Sequence, residues 1–439
     1  MPELPVVVIG AGPQGLAMAA HLVRRGVETL VLDAGARPAH AVGEWAHVRL
    51  FSAWDELIDP ASRALLQGTG WVAPQSGYPT GAEWIERYLA PLAAVLGERV
   101  RLGSRVTGVS RRGRDRVVDA GRASLPFTVR VSHEDGSDSL LGARAVVDAS
   151  GTWASPNPAG ADGLPALGEE AAASRLAYRI PDAAEADALA GSHVAVVGSG
   201  HSATTAVIEL ARVARGHPGT DISWVLRRGA VGDTFGGGDA DELPMRGALG
   251  ARAREAVENG LVRLVTGFRT ERIRMDSHGV VLEADDSRVL GPAQRVYVLT
   301  GFRPDLSFLS ELRLDLDPVL QAPPKVAIEV DPNVHSCGSV AATGAADLVH
   351  PEPGFYIVGS KSYGRAPTFL ALTGYEQVRS VAAALAGDHE AARRVELTLP
   401  ETGVCGGSGS AWDDTADVAA TGCCGAGPVR VSLTTAPVR

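Results

Sequence analysis

The chain of 439 residues is long enough for two or three domains with sizeable cores, and its 45% apolar and 21% charged residues are those of an ordinary soluble globule. A net charge of −10 without a basic cluster argues against nucleic acid as the main partner. No run of about 18 apolar residues and no basic leader occurs, so no membrane span is expected and a cytoplasmic location is.

The chain opens on Val6-Val7-Val8-Ile9, a short apolar run that reads as a buried parallel strand, followed by Gly10-Ala11-Gly12-Pro13-Gln14-Gly15 and the helix Leu16–Arg24. In such a strand, turn and helix, Gly10 makes the tight turn, Gly12 lets backbone N–H groups approach a pyrophosphate, and Gly15 lets helix and strand pack closely. A second strand, residues 27–33, ends in Asp33, where an acid binds the ribose hydroxyls of an adenosine. The pattern predicts a dinucleotide site; the alternative is an empty Rossmann unit.

After a long connection over residues 34–49, aromatic and polar residues alternate in His47–Asp55, as they would against a ring with an apolar face and a polar rim. Phe51 and Trp54 are equally compatible with an ordinary core. Thr80-Gly81-Ala82-Glu83 reads as a capping box ahead of a helix over Trp84–Leu96. Val100–Ser110, Phe127–Ser132 and Asp138–Leu140 read as an antiparallel excursion. Ala145–Gly151 is a further buried strand ending at Gly151, and the proline-rich residues 152–165 form a linker.

His193–Val197 then repeats the opening, running into Gly198-Ser199-Gly200-His201-Ser202-Ala203, the helix Thr204–Arg215 and the strand Asp221–Leu226. That strand ends in Arg227-Arg228 rather than an acid, which suits a 2′-phosphate, although two turn arginines can also be merely solvated. A Rossmann half repeated within one chain predicts an α/β protein with two dinucleotide-binding domains: FAD in the first and NADPH in the second, inserted unit. The expected divisions are 1–165 and 291–392 for the FAD domain, 188–290 for the NADPH domain, and 393–439 for a loosely held tail.

Further along, residues 234–239 read as a loop able to close over the nicotinamide, and Val296–Asp305, turning at Gly301, mirrors Val146–Gly151 as a crossing between domains. Phe355–Ser360 is a strand turning at Gly359. It leads to a helix over Leu370–Leu385 whose first turn, near Thr373, can point its dipole at the flavin pyrimidine ring. His201 either stacks near the nicotinamide or pyrophosphate or is simply packed. Four cysteines suggest no disulfide framework: Cys337 stands alone, and Cys405, Cys423 and Cys424 fall near the C-terminus. No metal centre is expected.

At its two glycine motifs, Asp148–Gly151 and Thr300–Asp305, the chain resembles the two-dinucleotide-binding flavoproteins, which include flavin-containing monooxygenases and thioredoxin reductases. Tyr178–Asp182, Val197–Ser202, Pro332–Gly338 and Gly354–Gln377 resemble more specifically the flavin monooxygenases of actinobacterial arsenic-resistance operons, ArsO. The resemblance implies FAD, NADPH, dioxygen and a trivalent arsenical or similar soft nucleophile, oxygenated through a C4a-hydroperoxyflavin, in a possible homodimer. Arg49, Ser52, Trp54 and Arg365 are candidate donors to such an oxidant, by their position near the expected flavin loops. The Baeyer–Villiger signature is absent, Ala172 standing at its histidine position, and so is the Cys-x-x-Cys of small thioredoxin reductases.

A second possibility is a disulfide or metalloid reductase in which Cys423-Cys424, with Cys405, relays electrons or binds a metalloid, and Cys337 lies beside the flavin. A third is a redox-sensing flavoprotein without catalysis.

Overall fold

A computed structural model describes residues 4–229, 231–236, 244–333, 342–366 and 369–397. The first unit runs β1 (Val6–Ile9), α1 (Pro13–Arg24), β2 (Thr29–Leu32), α2 (His40–Gly43), α3 (Pro60–Gln67), α4 (Gly81–Trp84), α5 (Ala90–Leu96) and β3 (Val100–Arg101). An antiparallel sheet of β4 (Ser104–Arg111), β5 (Phe127–His133) and β6 (Asp138–Ala143) follows, and β7 (Ala145–Asp148) returns to the first sheet.

The second unit repeats this plan with β8 (Leu176–Ala177), α6 (Ala183–Asp187), β9 (His193–Val197), α7 (His201–Gly216), β10 (Asp221–Val225), α8 (Pro244–Glu258) and β11 (Arg263–Val265). Its antiparallel sheet is β12 (Thr270–Asp276), β13 (Gly279–Ala284) and β14 (Val289–Ala293), and β15 (Arg295–Val298) closes it. Then α9 (Pro324–Val330), β16 (Phe355–Ile357), α10 (Ala371–Leu385) and α11 (His389–Arg393) complete the first unit.

The two parallel sheets have the same strand order, β16-β7-β1-β2-β3 and β8-β15-β9-β10-β11. Both are buried on both faces, which is why their central strands read as unbroken Val/Ile/Ala runs. Alternation along each strand separates the layers. Val6 and Val8 pack with α1, α3, α5 and α10, while Val7 and Ile9 pack with Phe127, Val129 and Val131 of the antiparallel sheet. In the second unit Val194 and Val196 face α7, and Ala195 and Val197 face Ile273, Val280 and Leu282. Each half is therefore a three-layer stack of antiparallel sheet, parallel sheet and helices.

The structure corrects three expectations. The span 188–290 omits β8 and β15, yet β15 pairs directly with β9 and β8 with β15, so the second unit begins before residue 176 and ends beyond residue 298. The strand expected over Val100–Ser110 breaks at Gly103 (φ +59°): β3 extends the parallel sheet and β4 starts the antiparallel one. The helix expected over Trp84–Leu96 carries a π-helical stretch at Ile85–Leu89. Pro91 has no N–H for the carbonyl of Arg87, which instead accepts from the Trp71 indole at 2.8 Å. The capping box at Thr80 and Glu83 forms as expected.

The two crossings run side by side: Asn157 N donates to Gly301 O at 2.8 Å, Arg303 N to Ser155 O at 2.9 Å, and Trp153 stacks on Phe302 with ring centroids 5.0 Å apart. A buried ion pair lies at the root of the first crossing, Lys361 Nζ to Asp148 Oδ2 at 2.7 Å. Among the described residues no helix is long and apolar enough to cross a membrane.

Candidate functional site: two glycine loops and a shared helix terminus

Both fingerprint glycines behave as the fold requires. Gly10 lies at φ +101° and Gly198 at φ +129°, where a Cβ would meet Ala149 O at 2.8 Å and Leu299 O at 2.2 Å. At Gly15 a Cβ would fall 1.8 Å from Gly10 O, so α1 sits against the loop at backbone contact. The equivalent residue of the second loop is Ala203, fully buried, and α7 packs there with a methyl group in between.

Gly12 and Gly200 are different. A Cβ on either meets nothing within 4 Å, and neither helix receives a side-chain cap. The N–H groups of the first turns of α1 and α7 are thus served by no capping side chain, and open space lies in front of them, the form that admits a pyrophosphate.

Asp33, at the end of β2, accepts the N–H of Ala11 through Oδ2 and that of Gly35 through Oδ1 at 2.7 Å. Each oxygen keeps further acceptor capacity for ribose hydroxyls while bracing the glycine loop.

At the end of β10, Arg228 Nη2 reaches Ser199 Oγ at 3.3 Å and Arg227 Nη1 donates to Ala161 O at 2.7 Å. These arginines, with Arg269, Thr270 and the crossing residues from Gly160 onward, line a cavity of about 580 Å³. Thr270 Oγ1 is buried there without a partner among the described residues. Arg269 and Thr270 were not legible as site residues, because they lie about 40 residues past the motif and enter only through the fold of β12.

The first turn of α10 lies at the mouth of the first loop. Thr373 Oγ1 is spent on Leu370 O at 2.7 Å, so it is a helix-start residue rather than a free donor. Gly359 N donates to Gln377 Oε1 at 2.9 Å, and Gly151 (φ +68°) turns beside Ser360. Burial pushes the Tyr363 phenol above its ordinary value, against a smaller opposing effect of the neighbouring Thr373 hydroxyl.

The four candidate donors separate. Trp54 is 3% exposed within the first core, stacked under the Arg87 guanidinium at 5.2 Å, and is a packing residue. Arg49 is exposed and latches onto Tyr78 O, with Glu83 at 3.7 Å. Arg365 points outward and donates to Gln321 Oε1 at 2.8 Å. Trp54 is thus a correction, its ring being part of the core, while Arg49 and Arg365 each hold their own loop. Ser52 is buried, and its hydroxyl makes no hydrogen bond among the described residues. Phe51 packs on His201 across the two units, ring centroids 5.5 Å apart, and Val48 packs against the second core. His201 and Ser202 open α7, and His201 is a packed residue. Cys337, Cys405, Cys423 and Cys424, and residues 237–239 of the expected closing loop, lie outside the described residues.

The sequence pattern of the pyridine nucleotide-disulphide oxidoreductases matches residues 7–323. The chain belongs to that family. It is a flavin-dependent oxidoreductase that uses FAD and NAD(P)H. No curated protein matches it.

Among solved structures it is similar to the bacillithiol disulfide reductase Bdr (YpdA) of Bacillus cereus, at 20% identity and a TM-score of 0.65 over 88% of this chain and 99% of that one. It is also similar, over the same shares, to the flavin-containing monooxygenase of Stenotrophomonas maltophilia (24%, TM-score 0.52) and the ornithine hydroxylase PvdA of Pseudomonas aeruginosa (16%, TM-score 0.55). Solved proteins named for disulfide reduction and for hydroxylation share this fold.

Proposed function

We propose that the protein is an NADPH-dependent flavin monooxygenase acting on a soft nucleophile, with a trivalent arsenical as the substrate class to test first. The observation that carries this reading is the distribution of thiols. Of four cysteines only Cys337 falls between residues 4 and 397, and no Cys-x-x-Cys exists, so the nucleotide domains supply no dithiol to accept electrons. Dioxygen fits as the acceptor in its place, and the solved monooxygenases of the same fold support the choice.

When bound, FAD supplies hydride acceptance and oxygen activation, chemistry that requires no catalytic triad from the chain. The chain's own residues bind and orient. The N-terminus of α1 and Asp33 hold one dinucleotide, while the N-terminus of α7, Ser199, Arg227, Arg228 and Arg269 hold the other. Three arginines around one cavity favour NADPH over NADH, since a 2′-phosphate takes charge-assisted hydrogen bonds that a hydroxyl does not. Phe51 on His201 joins the two units between the proposed sites.

The higher TM-score against a disulfide reductase supports one rival reading, in which Cys423-Cys424 relays electrons from the flavin. Anaerobic reduction by NADPH followed by mixing with oxygenated buffer in a stopped-flow cell, with and without a trivalent arsenical, separates the two. A near-ultraviolet transient distinct from oxidised flavin, shortened by the arsenical and retained in Cys423→Ser/Cys424→Ser, is the expected result. Its absence, with activity abolished in that variant, overturns the monooxygenase.

A further inference from the structure

Gln14 is the second residue of α1, 7% exposed, and its side chain spans from that helix to the start of α10. Its Nε2 donates to Ala371 O at 3.0 Å. A carbonyl only accepts, so this bond fixes which end of the amide is nitrogen and leaves Oε1 as the acceptor. That oxygen is buried with no hydrogen-bond partner among the described residues. Buried polar atoms are paired in nearly all folded proteins, so an orphan beside a ligand site calls for a partner from the ligand.

The side chain has no freedom to turn to water. A Cβ at Gly359 would stand 2.9 Å from Gln14 Cγ, and a Cβ at Gly374 would stand 2.6 Å from Gln14 Cδ and 2.7 Å from Nε2. Gly374 lies inside α10, where glycine weakens a helix, and its place is filled by the Gln14 carboxamide and by the Phe369 ring, whose Cζ would stand 2.6 Å from a Cβ there. Two glycines far from Gln14 in sequence thus make room for its side chain.

The chemistry of the orphan selects its partner. An amide oxygen needs a donor, and in FAD the phosphates and the ring carbonyls only accept. The donors are hydroxyls, the adenine amino group and the ring N3–H. Gln14 bridges the terminus of α1, which takes the pyrophosphate, and that of α10, which faces the ring, and the ribityl chain is the part of FAD that joins those two groups. We infer that Gln14 Oε1 accepts a hydrogen bond from a ribityl hydroxyl, making Gln14 a positioning residue that ties FAD to two helix termini at once. The inference rests on the first glycine loop being the FAD site.

The test is titration of wild-type apoprotein, and of Gln14→Met and Gly374→Ala, with FAD and with FAD analogues each lacking one ribityl hydroxyl, read by flavin fluorescence. In the wild type one analogue is expected to bind about tenfold more weakly than FAD. Gln14→Met is expected to bind FAD about tenfold more weakly and not to distinguish it from that analogue, and Gly374→Ala, which displaces the amide, to do the same. FAD uptake by the wild type without preference for any hydroxyl overturns the inference even if neither variant folds, as does Gln14→Met discriminating like the wild type. Wild-type apoprotein that binds no FAD refutes the site assignment itself, a separate outcome.

Discussion

Replacing Lys361 by methionine asks how much the buried ion pair at the root of the first crossing contributes. Lys361 is 1% exposed and Asp148 is fully buried. The ammonium contacts Asp148 Oδ2 at 2.7 Å and Ser150 Oγ at 3.1 Å and lies 4.5 Å from the centre of the Phe308 ring. Methionine fills most of the same volume, so little packing is lost; the charge is what disappears. Asp148 Oδ1 keeps the Ser150 N–H at 3.0 Å and hydroxyl at 2.6 Å, but Oδ2 is stranded without a cation. Removing one partner of such a pair costs about 3–5 kcal/mol, against a total stability of about 5–15 kcal/mol. Urea unfolding followed by tryptophan fluorescence measures the loss, in apoprotein and at saturating FAD, because bound ligand adds stability of its own. Asp148→Asn/Lys361→Met removes the stranded charge and is expected to recover at least half of the loss. A single-variant cost under about 1 kcal/mol, or a double variant no better than the single, refutes the reasoning.

Gly15→Ala drives a Cβ to 1.8 Å from a backbone oxygen and is expected to cost about 1–3 kcal/mol and most of the bound FAD, whereas Ala203→Gly, at the equivalent position, leaves NADPH affinity within about threefold. Flavin content and nucleotide titration report the two, and equal FAD loading of Gly15→Ala and wild type argues against close packing as the reason for the glycine. Arg227→Gln/Arg228→Gln is expected to raise KM for NADPH about 10- to 100-fold and leave KM for NADH unchanged; steady-state kinetics with both nucleotides decides, and a parallel rise for NADH contradicts 2′-phosphate recognition. Burial pushes the Glu352 carboxyl up, but Arg122, Arg111 and the Arg313 N–H outweigh it and hold the group below its ordinary value. A depressed folded value contributes stability above about pH 4.3, lost as pH falls through the folded value, so Glu352→Gln should flatten the decline in urea midpoint between pH 6 and pH 3. Parallel declines in variant and wild type count against it.

What the sequence made legible was whatever rests on backbone chemistry close in the chain. The runs at Val6 and Val194, the glycines that follow them and Asp33 each announce their element within ten residues or so, because strand burial, tight turns and helix packing are local demands. The capping box at Thr80 was read for the same reason. The strands that went unread share a cause. β12 buries only Thr270 and Ile273 among charged neighbours, β14 contains Gly291 and Pro292, and β8 has two residues, so none carries a strand signal and all are strands through their neighbours. Trp54, Arg49 and Arg365 were placed by distance along the chain from the flavin loops. What decides their roles is the Arg87 stack, the Tyr78 carbonyl and the Gln321 amide, contacts a linear pattern does not contain.

The repetition of one three-layer scaffold makes the differences between its copies the informative part. Both copies present an uncapped helix in front of open space, so both suit a pyrophosphate, and neither strand order nor core distinguishes them. Where β2 ends in an acid that braces the glycine loop, β10 ends in two arginines that meet a third across a cavity, the difference on which the proposed preference for NADPH rests. Among the described residues the first copy receives a second helix terminus, that of α10, with the Gln14 amide wedged between Gly359 and Gly374. The second copy has His201 in that neighbourhood, covered by Phe51 from the first. On the proposed reading, a dinucleotide in the first copy would meet two helix termini of one unit, while one in the second would lie beside a residue of the other unit. This asymmetry suits a retained flavin and an exchanging nicotinamide, and it follows from which loops the two crossings bring together rather than from either glycine motif.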